Sequence, residues 1–75
     1  MKFRVGDIIT GKKSADSRYN FTTSHAIMKV VGMDAYDISV CIISHETMKH
    51  CEGNTHYVNP KYFTLVKPVA KSNYI

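Results

Sequence analysis

The two ends of the chain constrain its fold more than anything between them. Residues 3–9, Phe-Arg-Val-Gly-Asp-Ile-Ile, set a Gly-Asp pair inside a β-branched run, which predicts a strand opened by a turn. Residues 57–66, Tyr-Val-Asn-Pro-Lys-Tyr-Phe-Thr-Leu-Val, place Asn59-Pro60 between two short apolar runs. Proline cannot donate to a sheet ladder and its φ suits a helical first turn, so this segment predicts a strand, one 3₁₀ turn and a closing strand. In a chain of 75 residues, terminal strands of this kind predict pairing into one small closed β-barrel. Side chains fill the interior of such a barrel, so function is expected on loops and outer surface.

Between the ends, the hydrophobic pattern has period two wherever it has a period. Residues 5–10 form the first predicted strand. Residues 25–33, with Ile27, Met28, Val30 and Val31, form the second, stopped by Gly32 and a turn at residues 33–35. Residues 37–44 alternate most cleanly: Ile38, Val40 and Ile42 share one face, Ser39, Cys41 and Ile43 the other. Strands at 55–58 and 63–66 complete five, and a short helical turn is expected around residues 46–49. The predicted core is Val5, Ile8 or Ile9, Met28, Val30, Ile38, Val40, Ile42, Val58, Phe63 and Leu65. The predicted domain covers residues 1–68, and residues 69–75 read as a frayed tail.

Charge is distributed unevenly. The net charge of +4 divides into +3 over residues 1–20, −2 over residues 21–60 and +3 over residues 61–75. Pairing of the end strands is expected to merge the basic ends, with Lys2, Arg4, Lys61 and Lys67 on a common side. No apolar run reaches the roughly 18 residues of a membrane span. Met1-Lys2-Phe3-Arg4 does not read as a signal peptide. A soluble cytoplasmic protein without membrane contact is therefore expected, with Cys41 and Cys51 as free thiols, one buried and one in a loop.

Five strands, a long first loop and a 3₁₀ turn before the last strand are the plan of an all-β, five-stranded antiparallel Src-homology-3-like small barrel. The first motif, Phe3-x-Val5-Gly6-Asp7-x-Ile9, joins Tyr19-x-x-Thr22 and Tyr57-Val58 followed by Tyr62-Phe63-x-Leu65-Val66. Together they resemble small barrel proteins encoded by bacteriophages. The resemblance implies a non-enzymatic accessory protein that binds a host or phage component, acting in the host cytoplasm. A polyproline-binding Src-homology domain would carry a Trp, which this chain lacks. An RNA-binding barrel of the KOW type would need a glycine between its first two strands, and none occurs between Gly11 and Gly32.

Two polar loops hold the candidate binding residues. The first, residues 11–23, combines Lys12, Lys13 and Arg18 with Tyr19 and Phe21. Cations interleaved with aromatics serve protein interfaces and, with enough phosphate contacts, single-stranded nucleic acid. The alternative for Tyr19 and Phe21 is simple packing of the loop onto the barrel. The second, residues 45–54 with the strand after it, adds Lys49, His50 and His56. His45, His50, Cys51 and His56 are zinc-ligand types, but His-Glu-Thr-Met-Lys-His puts its second imidazole one residue late for a shared helical face. These histidines read as exposed loop side chains, and neither a metal nor another cofactor is expected. The leading expectation is a protein that binds and blocks a host protein as monomer or weak dimer, an anti-defence inhibitor in kind. A nucleic-acid-binding barrel and a protein sequestering a nucleotide at a subunit interface are the alternatives.

Overall fold

The structure is a computed structural model that describes residues 3–69. Five antiparallel strands make one sheet: β1 (Ile8–Gly11), β2 (Ala26–Met33), β3 (Ile38–His45), β4 (Thr55–Val58) and β5 (Phe63–Lys67), in the order β4-β3-β2-β1-β5. The ends of the chain pair as expected, with Thr10 opposite Thr64 and Gly11 opposite Phe63. A 3₁₀ turn at Pro60–Tyr62 joins β4 to β5, and the Asn59 side chain caps it by accepting from Lys61 N. The sheet is not closed: β4 and β5 are its two edges. No helix among the described residues is long and apolar enough to cross a membrane.

The first strand starts later than its apolar run predicts. Gly6 has φ +101°, a left-handed conformation that glycine adopts without a Cβ penalty. Asp7 closes the turn, accepting from Arg4 N at 2.8 Å while its own N–H donates to Arg4 O at 3.0 Å. Residues 4–7 are therefore a turn, and Val5, expected in the core, is 53% exposed. The buried Asp7 carboxylate also accepts from Val69 N at 2.8 Å. Residue 69 thus belongs to the folded unit, whereas the rest of the expected tail, like Lys2, lies outside the described residues.

The β2–β3 hairpin turns on Asp34, whose carboxylate accepts from Tyr36 N and Asp37 N. Those bonds, Asp37 first, hold its pKa below the ordinary value. The face assignment of β3 is as predicted: Ile38, Val40 and Ile42 are buried. With Ile9, Met28, Val30, Val58 and Phe63 they form the core, which also takes Phe3, Phe21, Ala26 and Cys51. Leu65, the second expected core residue that fails, pairs with Ile9 but sits on the edge strand and is 47% exposed.

Candidate binding surface

The first loop bridges the two edges that the sheet leaves apart. Phe21 lies against His56 of β4, ring centroids 4.7 Å apart, and Tyr19 lies 5.9 Å from Phe63 of β5 and 6.2 Å from Phe21. The Tyr19 hydroxyl accepts from Asn59 N at 3.0 Å, and Lys12 N donates to Tyr62 O at 2.8 Å. Aromatic packing and the Tyr19–Asn59 bond thus cover the core between the two edges without pairing their backbones, while the Lys12–Tyr62 bond only continues the β1–β5 ladder. Phe21 is consequently a core residue, with no side-chain surface to offer a partner, and Tyr19 is half-buried.

The loop keeps its shape through Asp16 and Gly11. The Asp16 carboxylate accepts from Thr23 Oγ1 at 3.0 Å, Ser24 N at 2.9 Å and Ser24 Oγ at 2.7 Å. The Ser24 hydroxyl, then the Ser24 amide, draw its pKa below the ordinary 3.8. Gly11 faces Thr23 so closely that a Cβ there would stand 2.3 Å from Thr23 Cβ.

On the outside of this loop the cations gather around one ring. Arg18 Cζ lies 4.4 Å from the centroid of the Tyr62 ring and Lys61 Nζ lies 5.1 Å from it. Lys12 Nζ donates to Lys61 O at 3.2 Å, which ties the first loop to the 3₁₀ turn before β5. Cation–π contact holds a guanidinium without consuming its hydrogen-bond donors. Among the described residues, Lys12, Lys13, Arg18 and Lys61 have no carboxylate partner. Five of the six acids are engaged elsewhere: Asp7, Asp16 and Asp34 on backbone or hydroxyl donors, Glu46 on His25, and Glu52 on Lys49 and His45 N.

Of the residues expected to bind, Lys12 and Arg18 therefore share one surface with Lys61 and Tyr62, which sequence reasoning did not assign to it. The signal for those two was the Asn-Pro turn, whose partner in space, the first loop, no periodicity reveals. Lys13 is exposed in a 3₁₀ turn at Lys13–Ala15 of the same loop. Of the cations expected on a common basic side, Lys61 precedes β5 and Lys67 ends it, opposite Ile8.

The second loop does not join this surface. Lys49 pairs with Glu52 at 3.7 Å, and His50 is exposed beside it in the 3₁₀ turn Lys49–Cys51. His56 points to the inner face, its Nε2 buried without a hydrogen-bond partner. His45, expected to be exposed, is buried and fully bonded. Its Nε2 donates to Thr22 O at 3.1 Å, and its Nδ1 accepts from Thr47 N at 3.2 Å and Met48 N at 2.9 Å. Two amides on Nδ1 assign the neutral Nε2–H tautomer. Because residues 46–48 wrap this imidazole, the helical turn expected at 46–49 forms later, at Lys49–Cys51. The loop cysteine, Cys51, is the buried thiol, while Cys41 is half-buried on the outer face of β3. Among the described residues, no three His, Cys, Asp or Glu side chains converge as metal ligands would.

Comparison with known proteins supplies no relative. No family model, curated protein or solved structure matches the chain.

Proposed function

We propose that this chain is a non-enzymatic binding protein, a phage-type accessory or anti-defence inhibitor that blocks a host protein in the host cytoplasm. Its contact surface is the cluster of Lys12, Arg18, Lys61 and Tyr62. One observation carries the reading: two cations lie on a single tyrosine ring and a third is tied to their backbone, with no carboxylate partner for any of them among the described residues. Like charges held together cost free energy that an acidic partner offsets, and Arg and Tyr are the side chains that most often dominate interface energetics. The basic surface also speeds encounter with such a partner. The strand order and the single 3₁₀ turn before β5 support a Src-homology-3-like barrel, spanned by its first loop in place of a β4–β5 pair. On this reading the scaffold is structural throughout and recognition is confined to one rim.

The same surface has the composition of a nucleic-acid contact, but three or four cations release few counterions, which limits affinity at physiological salt. The test is affinity capture from nuclease-treated and untreated bacterial lysate, with Arg18→Glu/Lys61→Glu as control. A discrete protein retained by the parent chain and lost with the double variant is expected. Retention of nucleic acid alone, or an identical captured set for both chains, refutes the proposal.

A further inference from the structure

We propose that the free edge of β5 receives an extended, acid-flanked segment of the protein partner as a sixth strand; this rests on the protein-binding reading above and names the form its partner takes. The sheet order ends on β5, which pairs with β1 on one side and with no described strand on the other. A free edge presents unpaired backbone N–H and C=O groups, and an added strand satisfies them while its side chains alternate between the two faces.

Both faces of β5 are prepared for such burial. Leu65 pairs with Ile9 across the ladder, so the two share a face, yet Ile9 is fully buried and Leu65 is half-exposed. Val66, the next residue along the strand and on the opposite face, is 52% exposed. Edges that avoid association carry a charge or a proline within the strand. Here Lys67 and Pro68 come only at the end, and Thr64, Leu65 and Val66 are uncharged. The other edge is less suited: in β4, Val58 is buried and His56 packs on Phe21.

Charge selects the occupant. Lys61, with Arg18 and Lys12 beside it, precedes β5, and Lys67 closes it. Tyr62 of the 3₁₀ turn and four strand residues, Phe63 to Val66, separate Lys61 from Lys67 by roughly 17 Å. A segment with about five uncharged, β-branched residues between Asp or Glu clusters matches that spacing and those signs. A second copy pairing antiparallel along β5 would set Lys61 of each against Lys67 of the other, a like-charge contact.

The probe is the capped peptide Glu-Glu-Val-Thr-Val-Thr-Val-Glu-Glu, added at about 1 mM, a concentration suited to a weak strand-addition site, to isotope-labelled protein for amide exchange by NMR. The expected result is slowing of about tenfold at alternate residues of β5, because every second amide points to the free edge. Leu65→Lys and Val66→Lys, both at exposed positions and checked for folding by circular dichroism, are expected to abolish it. The same peptide with Lys for Glu is expected to give none. Absence of slowing in β5, slowing that survives Leu65→Lys, or slowing that depends on protein concentration without peptide each overturns the inference. If lysate capture still depends on Arg18 and Lys61 while β5 shows no protection, the edge inference fails and the protein-binding reading stands. Loss of that dependence refutes the reading itself.

Discussion

Truncating Phe21 to alanine separates a structural loop from a merely attached one. The ring is almost wholly buried between Tyr19 and His56, in the core cluster that includes Phe63 and Val58. Removing a buried phenylalanine costs about 3–5 kcal/mol in transfer and cavity terms. Loss of the ring pair with His56 adds about 0.5–1.5 kcal/mol. Against this, the opened cavity gives water access to His56 Nε2, which is buried without a partner, and relieves about 1–3 kcal/mol of desolvation. The mid-range values combine to a net expectation of about 3 kcal/mol, out of the roughly 4–11 kcal/mol available to a domain of this size. Two-state urea denaturation reads it directly, with a midpoint shift at nearly constant slope, and melting is expected about 10–30 °C lower. Tyr57→Ala, at a position 74% exposed, is the control, expected within about 0.5 kcal/mol of the parent. A loss below about 1 kcal/mol for Phe21→Ala would show that the loop is not part of the core and would remove the account of how the open sheet is spanned.

Three other perturbations probe the same architecture. Gly11→Ala places a Cβ into Thr23, and because both sides of that contact are backbone-near, a destabilisation of about 1–3 kcal/mol is expected in urea denaturation. His45→Phe keeps the bulk but strands Thr47 N and Met48 N, while Thr22 O keeps its bond from His25 N; a loss of about 2–5 kcal/mol is expected, with exchange of the Thr47 and Met48 amides accelerated. Asp16 has a lowered folded-state pKa, so its contribution is fully present above the unfolded value of 3.8 and is lost as pH falls through the lower folded value. Asp16→Asn is expected to lower stability at neutral pH and to flatten the decline of stability below about pH 4, measured as urea midpoints across an acid series.

The strands and most of the core were legible because their signal is local and periodic. Ile38, Val40 and Ile42 alternate within one segment, and Asn59-Pro60 marks its turn by proline chemistry alone. Two core expectations failed for reasons that alternation cannot carry. Val5 stands before a left-handed glycine, so the run that contains it bends before it becomes strand. Leu65 has the right parity, but parity does not say whether a strand has a neighbour on both sides. The buried histidine was hidden by a slip of phase: Ile43 and Ser44 are both exposed, which moves the inward position at the end of β3 to His45. The candidate surface was half legible, since Lys12 and Arg18 are marked by composition, whereas Lys61 and Tyr62 join them only through a contact 44 or more positions away in the chain.

The first loop therefore carries two loads on opposite sides, and its substitutions must be read with that in mind. Tyr19 and Phe21 face the core and span β4 and β5, while Lys12 and Arg18 face outward on the 3₁₀ turn that begins β5. On the proposed function, a variant such as Phe21→Ala is expected to lower affinity only by releasing the loop, together with a fall in stability. Arg18→Glu acts differently: an exposed cation without a carboxylate partner contributes little to folding, about 0–1 kcal/mol, so its effect on binding should appear at unchanged urea midpoint. That separation makes charge reversal on Tyr62's cations, together with denaturation of the same samples, the comparison that distinguishes recognition from scaffolding. If Arg18→Glu destabilises the fold as much as Phe21→Ala does, the outward face of the loop is structural as well and the rim has no residue free for a partner.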